Sequence, residues 1–290
     1  MSIAGGRLIT ALRSRRGLGI FASHFSAAFA TLAGCFQLIV AAHPSSPLKG
    51  IWPIVAMVAA SLIWAGARSI PRTLVSREFT HPNFTVTVKS GDLFSEDSDL
   101  VIGFTDTYDT STEGGDIVSP ESVQAQFLRK VYGGNLLELD DALSEALRGV
   151  AISRVETQED KPRGKRERYP VDTVAVLSKE TARYYCVAYS HMSNDLIARS
   201  SVNDLWRSLS NTWSAISRHG HLNAVAIPIL GSDLARVSNL GRESLLKMIL
   251  LSFVAKSREG LISRKLTLVI HHRDARQVDM NEVRAFMNSL

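Results

Sequence analysis

The stretch IPILGSDLARVSNLGRESLLKMIL, residues 227–250, runs from an apolar segment through a glycine and small residues into an apolar helix pattern. Backbone N–H groups in such a loop, beside the positive end of a helix, suit an anion such as a phosphate. Glycine also ends strands for plain steric reasons, so this loop alone says little. Three further stretches strengthen it. SGDLF (90–94) places Asp92 directly after an alternating apolar run. GFTDTYDTSTEGGDIVSPESVQ (103–124) leads from a second apolar run towards a helix and carries Asp106, Asp109, Thr110 and Ser122. YSHM (189–192) ends a third run and carries His191. Each residue also has a plainer reading. Asp92 fits a turn cap, Ser122 a helix cap, Asp106 and Asp109 loop acids, and Arg236 a surface helix residue.

The chemistry these residues exclude narrows the function. No nucleophile, base and orienting group fall together as acyl transfer requires. His271 and His272 are adjacent, without metal-ligand spacing. Cys186, inside RYYCVAYS, reads as inert core. With Cys35 it makes two distant cysteines and no disulfide framework. The expected site binds a ligand, with no catalytic residue, cofactor or metal.

The positioning elements follow from periodicity. FTVTVKS (84–90) alternates and predicts a half-buried strand. LVIGF (100–104), LNAVAIPI (222–229) and KLTLVIHH (265–272) predict buried strands. VDTVAVLS (171–178) and ARYYCVAYS (182–190) predict neighbours around a KET turn. Helical spacing of Val202, Leu205, Trp206, Leu209, Trp213 and Ile216 predicts a helix ending at His219-Gly220. Others are expected over 241–256, at the C-terminus around Val283, Phe286, Met287 and Leu290, and over 119–134, with Ser119 as N-cap and Pro120 first. Alternating strands and helices predict a three-layer α/β fold with a mixed, mostly parallel sheet, whose ligands sit beyond the carboxyl ends of the strands. TQEDKPRGKRERYP (157–170) is a charged insert, expected to be a solvated loop or hairpin tip. A lipid-headgroup or phosphate contact is its less favoured reading.

The first third has another character. The net charge of +5 is uneven: residues 1–82 hold eight Lys/Arg against one acid, and the remainder 25 against 27. Basic charge confined to an apolar segment points to a membrane, and no nucleic-acid signature argues back. Residues 18–42 carry no Asp, Glu, Lys or Arg and are long enough to cross a bilayer, which takes about 20 apolar residues. Residues 51–67 would span only about 25 Å, with Lys49 and Arg68 placed to snorkel and Trp52 and Trp64 near opposite ends. Expected is a transmembrane hairpin: a basic N-terminus 1–17, helices 18–42 and 51–67 around a turn 43–50, a basic juxtamembrane linker 68–82, and a ligand-binding domain 83–290. The flanking arginines put both termini on the cytoplasmic side, in a multi-pass inner-membrane protein. A cleaved signal peptide and buried core helices are the competing readings.

VTVKSGDLF resembles the opening of a macro domain, and AVAIPILGSDLAR resembles that family's second phosphate loop. Residues 83–290 are similar to a divergent macro domain. FTDTYDT, SPESVQAQFLRKVYG and LGSDLARVSNLGRESLLKMILLSF, behind a membrane hairpin, resemble the membrane-anchored macro-domain effectors of Thoeris antiphage defence. The resemblance implies binding of an ADP-ribose derivative, an amino-acid conjugate among the candidates. It implies that Asp92 accepts from the adenine amino group beside Leu93 and Phe94. Gly231, Ser232, Asp233, Leu234 and Ala235 would wrap the diphosphate, with Arg236 at a phosphate or the distal ribose. Asp109, Thr110 and Ser122 would face the distal end. The chain departs from the family in having GFTD where hydrolytic members carry Asn, and Asp233 and Ala235 where glycines are usual.

The function this implies is a non-catalytic sensor. It reads a nucleotide made from NAD by a TIR-domain enzyme, oligomerises, and disrupts the membrane, ending in arrest or death of the infected cell. A membrane-tethered ADP-ribosyl hydrolase or phosphatase, and a non-catalytic membrane scaffold, are the alternatives.

Overall fold

The computed structural model describes residues 15–42, 50–69, 74–232 and 240–290. Two compact units divide between Arg72 and Thr73. In the first, helix α1 (Arg15–Ala42) lies against helix α2 (Trp52–Arg68). The 25 residues Leu18–Ala42 are long and apolar enough to cross a membrane, and α2 is a shorter apolar helix. Large apolar side chains on both, Leu38, Ile39, Trp52 and Ile63 among them, remain exposed. Pro53 sits in the first turn of α2, where it removes no helical hydrogen bond, and the Arg68 guanidinium lies 5.0 Å over the Trp64 ring. The turn 43–49 and the arginines at 7, 13 and 72 lie outside the described residues.

The second unit runs β1 (Leu74–Thr80), β2 (Asn83–Ser90), β3 (Asp99–Thr105), α3 (Val123–Val131), α4 (Leu136–Ala146), β4 (Arg154–Val155), β5 (Glu167–Arg168), β6 (Val174–Lys179), β7 (Ala182–Met192), β8 (Ala198–Arg199), α5 (Val202–His219), β9 (Val225–Pro228), α6 (Arg242–Glu259), β10 (Lys265–Ile270) and α7 (Met280–Ser289). The sheet order is β1-β2-β10-β9-β3-β7-β6, with β8 on the end of β7. The five strands from β2 to β7 are parallel, and β1 and β6 are antiparallel edges. The expected mixed, mostly parallel sheet is present.

Strand alternation divides the core into two layers. Val101, Tyr185, Val187 and Ile227 face α5, α6 and α7, while Leu100, Ile102, Phe104, Cys186 and Ala188 face α3 and α4. Each fully buried Leu, Ile or Phe contributes about 1.5–3 kcal/mol. Helix α5 shows how local and tertiary signals agree. Ser201 and Asp204 form a reciprocal capping box, Leu205, Leu209, Trp213 and Ile216 share the buried face, and Gly220 ends the helix.

Three expectations change. Residues 74–80, expected within the linker, form strand β1. Val75 and Phe79 bury inward, and Arg77 reaches the carbonyl of Met287 on α7. Helix α3 begins after Ser122 instead of Ser119, because the Ser122 hydroxyl accepts from Ala125 N at 3.0 Å and the preceding proline sits in a turn. Helix α4 has no counterpart among the predicted elements. Asn135 caps it, and Leu139 and Leu143 bury one face.

Candidate functional site

A cavity of about 710 Å³ opens at the carboxyl ends of the parallel strands, within the size range of small-molecule sites. Gly91 to Phe94 follow β2, Gly103 to Thr105 close β3, Tyr189 to Met192 close β7, Ile229 to Ser232 follow β9, and His271 and Arg273 follow β10. All of them line it except His191. The loop into α3 supplies Ile117, Val118, Glu121 and Ser122, and Arg242 enters from the start of α6.

Asp92 caps a turn, as its plainer reading expected, and also lines the cavity. Its Oδ1 accepts from Phe94 N at 3.1 Å and caps the short helical turn Leu93–Ser95. Its Oδ2 meets Lys130 Nζ at 2.5 Å, an ion pair that lowers the carboxyl pKa below the usual range. A carboxylate accepts about four hydrogen bonds, so capacity remains for a ligand. Leu93 is buried, and Phe94 lies under the Lys130 ammonium at 5.1 Å. Gly231 adopts φ +79°, which a side chain would resist, and the Ser232 hydroxyl returns to Ile229 O at 3.0 Å. Asp233, Leu234, Ala235 and Arg236 lie outside the described residues.

The loop after β3 departs from expectation. Thr110 does not line the cavity. It is buried, and its hydroxyl donates to Asp140 Oδ1 at 2.6 Å. Asp109 borders the cavity, but its carboxylate is held from within: by Thr107 Oγ1 at 2.5 Å, Lys165 N at 2.5 Å and Lys161 Nζ at 3.3 Å. Asp106 is likewise internal. It accepts from Met192 N at 2.8 Å and Arg168 Nη1 at 2.9 Å, with His191 Nδ1 at 3.3 Å. Tyr108, buried at φ +48°, donates to the carbonyls of Thr173 and Cys186.

The partner of this loop is the charged insert. It supplies the loop and second strand of the hairpin β4–β5, and its cations meet the loop and its surroundings in turn: Lys161 with Asp109, Arg163 with Asp116, Lys165 with Asp140, and Arg168 with Asp106. Lys161 is fully buried. The expectation of a solvated tip is overturned at this residue and at Arg168, because acids far away in sequence take up their charges.

Sequence reasoning did not assign three of the side chains at the cavity to the site: Arg242, Arg273 and His271. Arg242 pairs with Asp274 at 2.7 Å. Arg273 pairs with Glu121, another lining residue. His271 lies just past β10. Only their positions after strand and loop motifs could have signalled them. Cys186 is fully buried, and burial pushes its thiol pKa well up, as expected of inert core. Among the described residues no group of His, Cys, Asp and Glu is arranged to hold a metal.

Residues 86–271 match the family described as Thoeris protein ThsA, Macro domain. A curated relative, Thoeris protein ThsA of Bacillus amyloliquefaciens (strain Y2), is 24% identical over 207 residues, covering 69% of this chain and 67% of that protein. Among solved structures, the Oceanobacillus iheyensis macrodomain with ADP aligns with a TM-score of 0.48 at 11% identity, covering 76% of this chain and 100% of that one. A glycine-to-valine mutant of the same macrodomain with ADPR aligns with a TM-score of 0.49 at 10% identity, covering 74% of this chain and 100% of that one.

Proposed function

The chain belongs to the ThsA macro-domain family of Thoeris proteins, and from that premise we propose that it is a membrane-anchored, non-catalytic sensor of an ADP-ribose-derived signalling nucleotide. The observation that carries the reading is the composition of the cavity. It offers anion-binding parts, the Gly231-Ser232 turn, the start of α6 and Arg242, together with a carboxylate acceptor at Asp92. The cavity-lining acid of the loop after β3, Asp109, is already held by Lys161 and Lys165 N. Its carboxylate oxygens are spent on partners within the protein, which leaves them little to offer a reacting group. Binding is therefore favoured over turnover.

In this reading Asp92 accepts from the adenine amino group, with Leu93 and Phe94 at the ring. Gly231 and Ser232 meet the diphosphate, together with 233–236. The nucleotide comes from a TIR-domain NADase, its binding favours an oligomer, and the apolar pair α1 and α2 carries the change into the bacterial inner membrane and disrupts it. The unburied apolar surface of that pair supports the membrane role.

The test is calorimetry of the full chain in detergent with ADP-ribose, alongside Asp92→Ala. Loss of a charge-assisted hydrogen bond predicts affinity lower by about 10- to 150-fold. Absence of binding by the wild type would sink the reading, and release of ADP-ribose from a modified protein substrate would replace the sensor with a hydrolase. Ligand-dependent cross-linking and dye release from vesicles holding the full chain test the output.

A further inference from the structure

The insert raises a physical question. Lys161 is 0% and Asp109 2% exposed at the side chain. Burying such a pair is a weak way to gain stability, since apolar replacements often do as well. What a buried, fully hydrogen-bonded pair does provide is a single arrangement of the segments it joins. Here those segments are the insert and the cavity wall.

The fit is close. Lys161 Nζ bonds Asp109 Oδ2 and, at 2.5 Å, Lys165 O, so the ammonium closes the turn it belongs to. Gly164, at φ +77°, lets that turn pass the carboxylate. A Cβ there would fall 2.6 Å from Asp109 Oδ1 and 2.8 Å from Lys161 Nζ. Asp109 then transmits the hold, because its carbonyl accepts from the side-chain amide of Gln124, a cavity residue in the first turn of α3. Neither Lys161 nor Lys165 lines the cavity.

The geometry points to Lys161 as a positioning residue for the ligand cavity: it touches no ligand, but by clasping Asp109 it fixes the wall that runs from Thr105 through Asp109 to Gln124. The affinity part of this inference rests on the sensor reading; the wall-fixing part does not.

The test uses the full chain in detergent, as wild type, Lys161→Met, Lys161→Arg and Lys165→Ala, with two readouts. Backbone amide exchange over residues 107–118 is expected to quicken about tenfold or more in Lys161→Met while the strands keep their protection. Affinity for ADP-ribose is expected to fall about tenfold or more in the same variant, with Lys161→Arg restoring both. Lys165→Ala, which removes only the outer hold on Asp140, shifts both in the same direction by less. If Lys161→Met does not fold, Gly164→Ala, whose Cβ would crowd the pair itself, decides the matter: quickened exchange confined to 107–118 together with weakened binding supports the inference, and no change in either overturns it. A folded Lys161→Met that binds as wild type also overturns it, as does exchange that rises evenly across the domain. If the wild type binds no ADP-ribose, the sensor reading has failed, and the exchange result alone judges the clasp.

Discussion

Gly164→Ala isolates the clasp from ordinary backbone strain. At φ +77° an alanine costs about 1–2 kcal/mol by its left-handed conformation alone. Its Cβ would also stand 2.6 Å from Asp109 Oδ1 and 2.8 Å from Lys161 Nζ, so the turn or the ion pair must yield. Breaking a buried pair costs about 3–5 kcal/mol, and a partial retreat costs less. Gly149 is the matched control. Its φ is +82°, and nothing lies within 4 Å of where a Cβ would stand. Gly149→Ala therefore reports the strain alone. In a domain of this size each kcal/mol lowers the melting temperature by about 2–4 °C. Gly149→Ala is expected to lower it by about 2–8 °C, and Gly164→Ala by a further 4 °C or more, roughly. Scanning fluorimetry of the full chain in detergent measures both. Equal shifts in the two variants would refute the reasoning, since the insert could then back away from Asp109 at no cost.

Three further outcomes follow from the same contacts. Tyr108→Phe removes a buried hydroxyl that donates to Thr173 O and Cys186 O, and should cost about 1–3 kcal/mol in thermal or denaturant unfolding. Ser252→Ala strands the fully buried Trp213 indole N–H, bonded at 3.0 Å, at a similar cost of about 1–3 kcal/mol, visible as a lower melting temperature. Lys130 holds the Asp92 pKa down, so the stability that pair adds is present above the ordinary carboxylate range and fades as pH falls through the lowered value. Lys130→Ala should therefore raise the Asp92 titration midpoint in carbon-detected NMR, and an unchanged midpoint would dismiss the pairing.

Much of the fold was legible because its signals are local. The spacing of Leu205, Leu209, Trp213 and Ile216 with a Ser cap and a Gly stop marks α5 from sequence alone, and the apolar runs of β3, β9 and β10 mark buried strands. Strand β1 was hidden because its charged residues sit next to a basic, apolar region, and Val75 and Phe79 are four residues apart. For α4 the signals do exist in the chain, in Asn135 followed by Glu138 and in the apolar spacing behind them. At the site, Asp92, Gly231 and Ser232 were legible from their place after strands, and they do line the cavity. The internal partners of Asp109, which also lines the cavity, and of Thr110, which does not, were not legible, because a loop acid or hydroxyl looks the same whether it awaits a ligand or a distant partner in the chain. The partners that decide this, Lys161 and Asp140, are set by tertiary packing and leave no pattern near the loop.

The pairing of the insert with the acidic loop also bears on how quickly an anion is captured. Of four acids paired by the insert, Asp106, Asp109, Asp116 and Asp140, Asp109 lines the cavity proposed to receive a diphosphate. Unpaired, they would repel an approaching polyanion over about the 8–10 Å reach of charge in physiological salt. Paired with Lys161, Arg163, Lys165 and Arg168, and with Glu156 shared between Arg168 and Arg154, they leave a nearly neutral flank. The long-range field at the mouth then comes from Arg242, Arg273 and the start of α6, moderated by their own acidic neighbours. Association of a nucleotide should accordingly depend only mildly on ionic strength, with the insert acting as an electrostatic shield around the entrance.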